Sequence, residues 1–168
     1  GAGHGDKPII RLRPIDPMED AMSKQLTILL VDDEKNFLDT IDERIQIKGF
    51  RTLLAYSGEQ ALELAKANHV DAAIVDLKMS GMDGLVCIAK LKEIHPDLKT
   101  VLLTGYGDAK IREASDGLEA AYFEKSEMNS FWTFMKSLGQ KLESSMAEAG
   151  YAEGGDPEGA KHLSDNHK

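Results

Sequence analysis

Leu26-Thr27-Ile28-Leu29-Leu30-Val31 runs straight into Asp32-Asp33. A continuous apolar and β-branched run of this length is how a strand buried on both faces of a parallel sheet reads. Two further runs end in the same way: Ala72-Ala73-Ile74-Val75 in Asp76, and Ala121-Tyr122-Phe123-Glu124 in Lys125. If the three are parallel strands of one sheet, their polar ends converge at its carboxyl edge, where open α/β sheets bind ligands. Three carboxylates and an ammonium gathered there form a divalent-cation and phosphoryl site.

Strand and helix patterns alternate outward from these runs. Phe37, Leu38, Ile41 and Ile45 recur at helical spacing after the first strand, and Gly49 is placed to stop that helix. Arg51 to Ala55 reads as a second strand, and Ser57 with Gln60 three residues later is a capping-box pattern opening the next helix. The third strand precedes a helix that starts at Asp83, carries Leu85, Ile88, Ala89 and Leu91, and ends before Pro96. Thr100 to Leu103 is a fourth strand, Gly107 to Leu118 a weaker helix, and Ala121 to Glu124 a fifth strand. A last helix from about Asn129 puts Phe131, Met135, Leu138, Leu142 and Met146 on one face. Repeated βα units predict an α/β fold, a five-stranded parallel sheet with helices on both sides. Strand order 2-1-3-4-5 is the common doubly wound arrangement, and it sets Asp32, Asp33 and Asp76 side by side at the switch point.

Composition narrows the possibilities. With 168 residues and 42% hydrophobic content, the chain suits one domain. A net charge of -9 argues against direct DNA binding. No apolar stretch approaches the roughly 20 residues that span a bilayer, so no membrane partner is expected. The single cysteine, Cys87, excludes an internal disulfide, reads as a small apolar helix residue, and suits the cytoplasm. Residues 1–23 hold three of the five prolines and are read as a flexible segment beginning with a cloning remnant, Gly-Ala-Gly-His-Gly, with Met18 or Met22 available as a natural start. Residues 24–147 form the folded unit, and the Gly- and charge-rich residues 148–168 a disordered tail.

One aspartate after a strand has an ordinary explanation as a helix cap: Asp32 or Asp33 would cap the helix starting near Glu34. Three at adjacent strand ends do not. At about 5 Å and an effective dielectric near 20, each pair repels by about 3 kcal/mol, of which a helix N-terminus offsets only about 1 kcal/mol. A hard divalent ion removes the penalty, and Mg²⁺ favours one or two carboxylates with waters and phosphate oxygens.

Val31-Asp32-Asp33-Glu34, Val75-Asp76-Leu77-Lys78-Met79, Met82-Asp83-Gly84, Leu103-Thr104-Gly105-Tyr106 and Tyr122-Phe123-Glu124-Lys125 occur in that order. In these motifs the chain resembles the receiver domain of bacterial two-component response regulators, in its stand-alone, chemotaxis-regulator-like form, over about residues 25–146. The resemblance implies a flavodoxin-like (βα)5 fold and a phosphoacceptor, Asp76, that takes its phosphoryl group from the phosphohistidine of a sensor histidine kinase or a histidine phosphotransfer protein. It implies that Asp33, Asp76 and the main-chain carbonyl of Lys78 ligate Mg²⁺, while Asp32 ligates directly or holds a metal-bound water. Lys125 would pair with Asp76 in the empty site and with a phosphoryl oxygen afterwards. Thr104 would bond the phosphoryl group, and Tyr122 would turn into the space vacated, which alters a surface read by a downstream effector protein. The side chain of Lys78 is expected to be solvated.

Two positions depart from the family pattern. Ser126 stands where proline usually follows the lysine, and a non-proline cis bond costs about 3–4 kcal/mol, so a trans bond and a rerouted loop are expected. Ser80 replaces another common proline, which loosens the loop after Asp76. The histidines (His4, His69, His95, His162, His167) show no metal-ligand spacing, Trp132 reads as packing, and Gly105-Tyr106-Gly107 carries no nucleotide motif and no weight beyond flexibility.

The chain is therefore read as a Mg²⁺-dependent phosphoacceptor switch without an effector domain of its own, catalysing only its own phosphorylation and dephosphorylation. Relay intermediate, phosphate sink and degenerate docking receiver are the neighbouring readings. A Mg²⁺-dependent aspartyl phosphohydrolase is the enzyme alternative; it would need a second acid two residues after its nucleophile, where this chain has Lys78 after Asp76.

Overall fold

The computed structural model describes residues 9–11 and 25–153, with side chains over 25–141. Its elements are β1 (Ile9–Arg11), β2 (Thr27–Val31), α1 (Lys35–Ile47), β3 (Arg51–Ala55), α2 (Gly58–Ala67), β4 (Ala72–Val75), α3 (Gly84–Ile94), β5 (Lys99–Thr104), α4 (Ala109–Gly117), β6 (Ala121–Glu124) and α5 (Met128–Glu153). The chain divides into two compact units, Gly1–Met128 and Asn129–Lys168.

The sheet order is β1-β3-β2-β4-β5-β6. The five strands from β2 onward are parallel and stand in the doubly wound, flavodoxin-like order 2-1-3-4-5. The addition is β1, which pairs antiparallel to β3 with Ile9 opposite Leu54 and Arg11 opposite Thr52. Residues 1–23 were expected to carry no element. Three residues are too few for a period to show in sequence, and β1 exists because the open edge of β3 supplies its hydrogen bonds.

Alternation along the strands divides the core. Leu29, Val31, Leu53, Ala73, Val75 and Leu102 pack with Ala61 and Leu64 of α2 and with Cys87, Ile88 and Leu91 of α3. Residues of the opposite parity, Leu30, Ile74 and Leu103, face Leu38 and Ile41 of α1 across a small cavity. Burying one such side chain contributes about 1.5–3 kcal/mol, and registration of β2 with β4 (Val31 opposite Val75) follows from burying both sets at once.

The ends of the helices follow local chemistry. Gly49 leaves α1 at φ +100°, as expected of the stop. Ser57 Oγ accepts from the Gln60 N–H at 3.1 Å, while Gln60 Oε1 reaches back to the Tyr56 N–H at 2.8 Å, one residue before the usual capping-box partner. Asp83 and Asp108 cap α3 and α4 through the Val86 and Ile111 N–H groups. Neither Asp32 nor Asp33 is the cap of α1; Glu34 holds that position without a side-chain cap.

In the second unit, Phe131, Trp132, Met135 and Leu138 are buried, and the Phe131 and Trp132 rings meet edge to face at 4.9 Å. The helix continues through Leu142, Met146 and Gly150 to Glu153, into residues expected to be a disordered tail. Residues 154–168, with His162 and His167, lie outside the described residues, as do His4 and the two methionines considered as starts. No helix among the described residues is long and apolar enough to cross a membrane.

Candidate functional site

The parallel ladder runs one hydrogen bond beyond several strand ends, and this is what positions the polar residues. The Asp32 N–H donates to the Ala55 carbonyl at 3.1 Å, the Asp76 N–H to Val31 at 2.9 Å and the Lys125 N–H to Thr104 at 2.8 Å. Each functional residue thus takes its backbone position from the neighbouring strand.

Asp32 and Asp76 are buried, at 3% and 8% exposure, whereas Asp33 is exposed. One carboxylate oxygen from each of the three lies within 4.8 Å of the other two. Lys125 reaches across from β6 and places Nζ 2.8 Å from Asp32 Oδ2, 3.2 Å from Glu34 Oε1 and 3.7 Å from Asp76 Oδ1. The lysine was expected to pair with Asp76. Its hydrogen bonds instead go to Asp32 and Glu34, with Asp76 at ion-pair distance. The Phe37 ring, centred 4.2 Å from Nζ, holds the ammonium from another side. No peptide bond among the described residues is cis, so Lys125-Ser126 is trans, and the lysine still enters the site.

Burial and the adjacent negative charge of Asp32 push the Asp76 carboxyl up to about 7, against the opposing pull of Lys125 and the Leu77 N–H. Burial also raises Asp32, opposed by its hydrogen bonds from Lys125 and the Glu34 N–H. Burial disfavours the charge on Lys125, but its carboxylate partners outweigh that and hold it above the ordinary lysine value. One ammonium does not neutralise this many acids. Opposed oxygens around an octahedral Mg²⁺ are about 4.2 Å apart, so an all-oxygen set within 4.8 Å fits the ion after a small contraction.

Gly84 entered the sequence reading only as the last residue of the Met82-Asp83-Gly84 motif, with no role assigned, yet it sets the backbone of the site. A β-carbon there would overlap the Asp76 carbonyl oxygen and stand 2.8 Å from the Asp76 carbonyl carbon and 2.9 Å from Leu77 Cα. The Gly84 N–H donates to the Leu77 carbonyl at 2.8 Å. The signal was the Asp83-Gly84 pair, whose second residue permits this approach of α3 to the β4 end. Gly84→Ala is expected to cost about 1–3 kcal/mol through overpacking and to weaken divalent-ion binding by displacing Asp76. Urea melts with and without Mg²⁺ measure both, and a variant that keeps wild-type stability and affinity would contradict the close approach.

The remaining predicted residues lie around the rim. The buried Thr104 hydroxyl donates to the Tyr106 carbonyl at 3.2 Å and accepts from the Tyr106 N–H at 3.1 Å. Tyr122 is half-buried; its hydroxyl donates to Glu124 Oε2 at 2.8 Å, and the Arg112 guanidinium lies over its ring at 4.3 Å. Lys78 is exposed, as expected of a solvated side chain, and its ammonium lies over the exposed Tyr106 ring at 4.3 Å. The Ser80 N–H donates to Asp33 Oδ2 at 3.4 Å, bringing the loop after Asp76 against that acid.

A family model described as the response regulator receiver domain matches residues 28–126. Sporulation initiation phosphotransferase F of Bacillus subtilis is 30% identical over 93 residues, 55% of this chain and 75% of that protein. The chain covers much less of other relatives, only 19% of the C4-dicarboxylate transport transcriptional regulatory protein DctD of Rhizobium meliloti, at 32% identity over 52% of this chain. Among solved structures, the response regulator TrrA of Thermotoga maritima, in complex with Mg²⁺ and BeF, is 28% identical with a TM-score of 0.60, covering 68% of this chain and 99% of that one. A single parallel sheet of this order, with an acid cluster and a lysine at its carboxyl edge, defines a response-regulator type of domain. This chain belongs to the response regulator receiver domain family.

Proposed function

We propose that Asp76 is the phosphoacceptor of this receiver. The observation that carries the reading is a buried Asp76 carboxylate with Asp32 and Asp33 close by and Lys125 Nζ at 3.7 Å. An Asp76 oxygen attacks phosphorus in line as the phosphorus–nitrogen bond of a phosphohistidine breaks. The imidazole leaves with the bonding electron pair, and the product is an acyl phosphate.

Asp33, Asp76 and the Lys78 carbonyl would hold Mg²⁺, with Asp32 as ligand or water holder. The ion supplies neutralisation of charge on the phosphoryl oxygens. Lys125 stands where it can exchange part of its contact with Asp32 for a phosphoryl oxygen. Thr104 supplies a hydroxyl at the end of β5, and Tyr122 carries the change toward an effector-binding surface.

The donor class is a histidine kinase or histidine phosphotransfer protein, and the recipient of the signal a downstream protein. A relay role, in which the phosphoryl group moves on to another histidine, gains support from the likeness to a protein named as a phosphotransferase. Incubation with acetyl phosphate, followed by intact-mass measurement and peptide mapping, tests the assignment. One phosphoryl adduct on Asp76, formed with Mg²⁺ and not formed when EDTA is present from the start, is expected; no adduct, or an adduct elsewhere, defeats it.

A further inference from the structure

The Tyr122 hydroxyl occupies a cleft that exists only because residue 107 is glycine. A β-carbon on Gly107 would overlap that hydroxyl oxygen and lie 2.6 Å from Tyr122 Cζ and 3.0 Å from Glu124 Oε2. Within the same cleft the hydroxyl donates to Glu124 Oε2 at 2.8 Å, and Arg112 covers the ring at 4.3 Å. Tyr122 and Glu124 are two apart on β6 and share one face of the strand. The loop that carries Gly107 is itself held by Thr104, through both the N–H and the carbonyl of Tyr106. A continuous series of contacts therefore runs from the Thr104 hydroxyl through Tyr106 and Gly107 to the Tyr122 hydroxyl and Glu124.

We propose that Glu124, with the cleft at Gly107, is a latch that holds Tyr122 in its resting position and so sets how readily this receiver switches. The inference rests on the phosphoacceptor reading for its consequence, but not for the contact itself. A hydroxyl bonded to a carboxylate in a half-buried cleft must give up that bond to move. Glu124 thus stabilises the resting state relative to any state in which Tyr122 has turned. Its raised phenol pKa, about 12 from burial and then from the hydrogen bond and charge of Glu124, is in keeping with a held hydroxyl. When the Thr104 hydroxyl donates to a phosphoryl oxygen in place of the Tyr106 carbonyl, the loop loses that bond and keeps only the one from the Tyr106 N–H, so the cleft at Gly107 is held less firmly. Glu124 is a positioning residue: it sets the equilibrium without touching the phosphoryl group.

The test titrates wild type, Glu124→Gln, Gly107→Ala and Tyr122→Phe with beryllofluoride at saturating Mg²⁺, and follows phenol ionisation by ultraviolet absorbance, with Tyr122→Phe identifying the Tyr122 component. Glu124→Gln is expected to bind the analogue about 3–10-fold more tightly, because a weaker latch leaves more of the chain competent. Gly107→Ala expels the hydroxyl from the other side and is expected to shift affinity in the same direction. In the Tyr122→Phe background, Glu124→Gln should change nothing, and in the native background it should bring Tyr122 ionisation down toward the ordinary value of about 10. Unchanged affinity in Glu124→Gln, or the same gain without the Tyr122 hydroxyl, overturns the latch. Failure of wild type to bind beryllofluoride would count against the phosphoacceptor reading instead. The phenol titration then still decides the contact, because an unaltered Tyr122 ionisation in Glu124→Gln overturns it in either case.

Discussion

Asp76→Asn is expected to abolish the acetyl phosphate adduct, by more than about 100-fold in labelling rate, and at the same time to stabilise the metal-free chain. The two outcomes have one cause. Burial and the Asp32 charge raise the folded-state carboxyl to about 7 from 3.8, so the ionised form is disfavoured in the fold. Its protonated form therefore stabilises the fold fully below about pH 3.8, and that contribution is lost as pH rises through about 7. An amide keeps the shape and carries no charge, so the advantage of Asp76→Asn over wild type grows between about pH 4 and 7. The mouth of the site admits water, which reduces the effect to about 1–2 kcal/mol at neutral pH. Urea unfolding in EDTA across this range measures it. A variant less stable than wild type at pH 7.5 would show that Asp76 is not held against its charge. Added Mg²⁺ should stabilise wild type strongly and the variant weakly.

Lys125→Met should do the reverse. The ammonium is bonded to Asp32 at 2.8 Å and lies near Glu34 and Asp76, and methionine keeps the length of the side chain and its contact with Phe37. Removing one partner of a buried ion pair leaves the other uncompensated, at a cost of about 2–4 kcal/mol here. Without the lysine, the folded carboxyls rise further, so the deficit widens as pH increases from about 4 to 7 and narrows in acid. Mg²⁺ should recover part of it. A pH-independent loss below about 1 kcal/mol would mean that Lys125 is a surface ion pair of ordinary weakness. Phosphorylation of the variant should also slow, since its cation no longer meets the phosphoryl oxygens.

Much of the site was readable because it sits where strand periodicity stops. Asp32, Asp76 and Lys125 each follow an apolar run, and a parallel ladder that continues one bond past a strand carries that order into space. Residues whose work is steric left almost no trace. Gly84 is essential for what it lacks, against the Asp76 backbone, and Gly107 for the cleft it leaves to Tyr122. A glycine in sequence reads as flexibility, while here both mark close approach. Glu124 read as the last residue of a strand, and its bond to Tyr122 follows from the shared face of β6.

The strand order was expected from the common doubly wound arrangement and the family resemblance; the parallel sheet, and the three acids and the lysine at the ends of its strands, were determined by the amino-acid sequence itself. These follow from burial: apolar runs of that length have few other ways to leave water. The tertiary structure decided which acid Lys125 holds, how the Thr104 and Tyr122 hydroxyls are engaged, and that Ile9–Arg11 completes the edge of the sheet. Those outcomes depend on distances of a few ångströms between residues far apart in the chain, and neither periodicity nor composition encodes a distance.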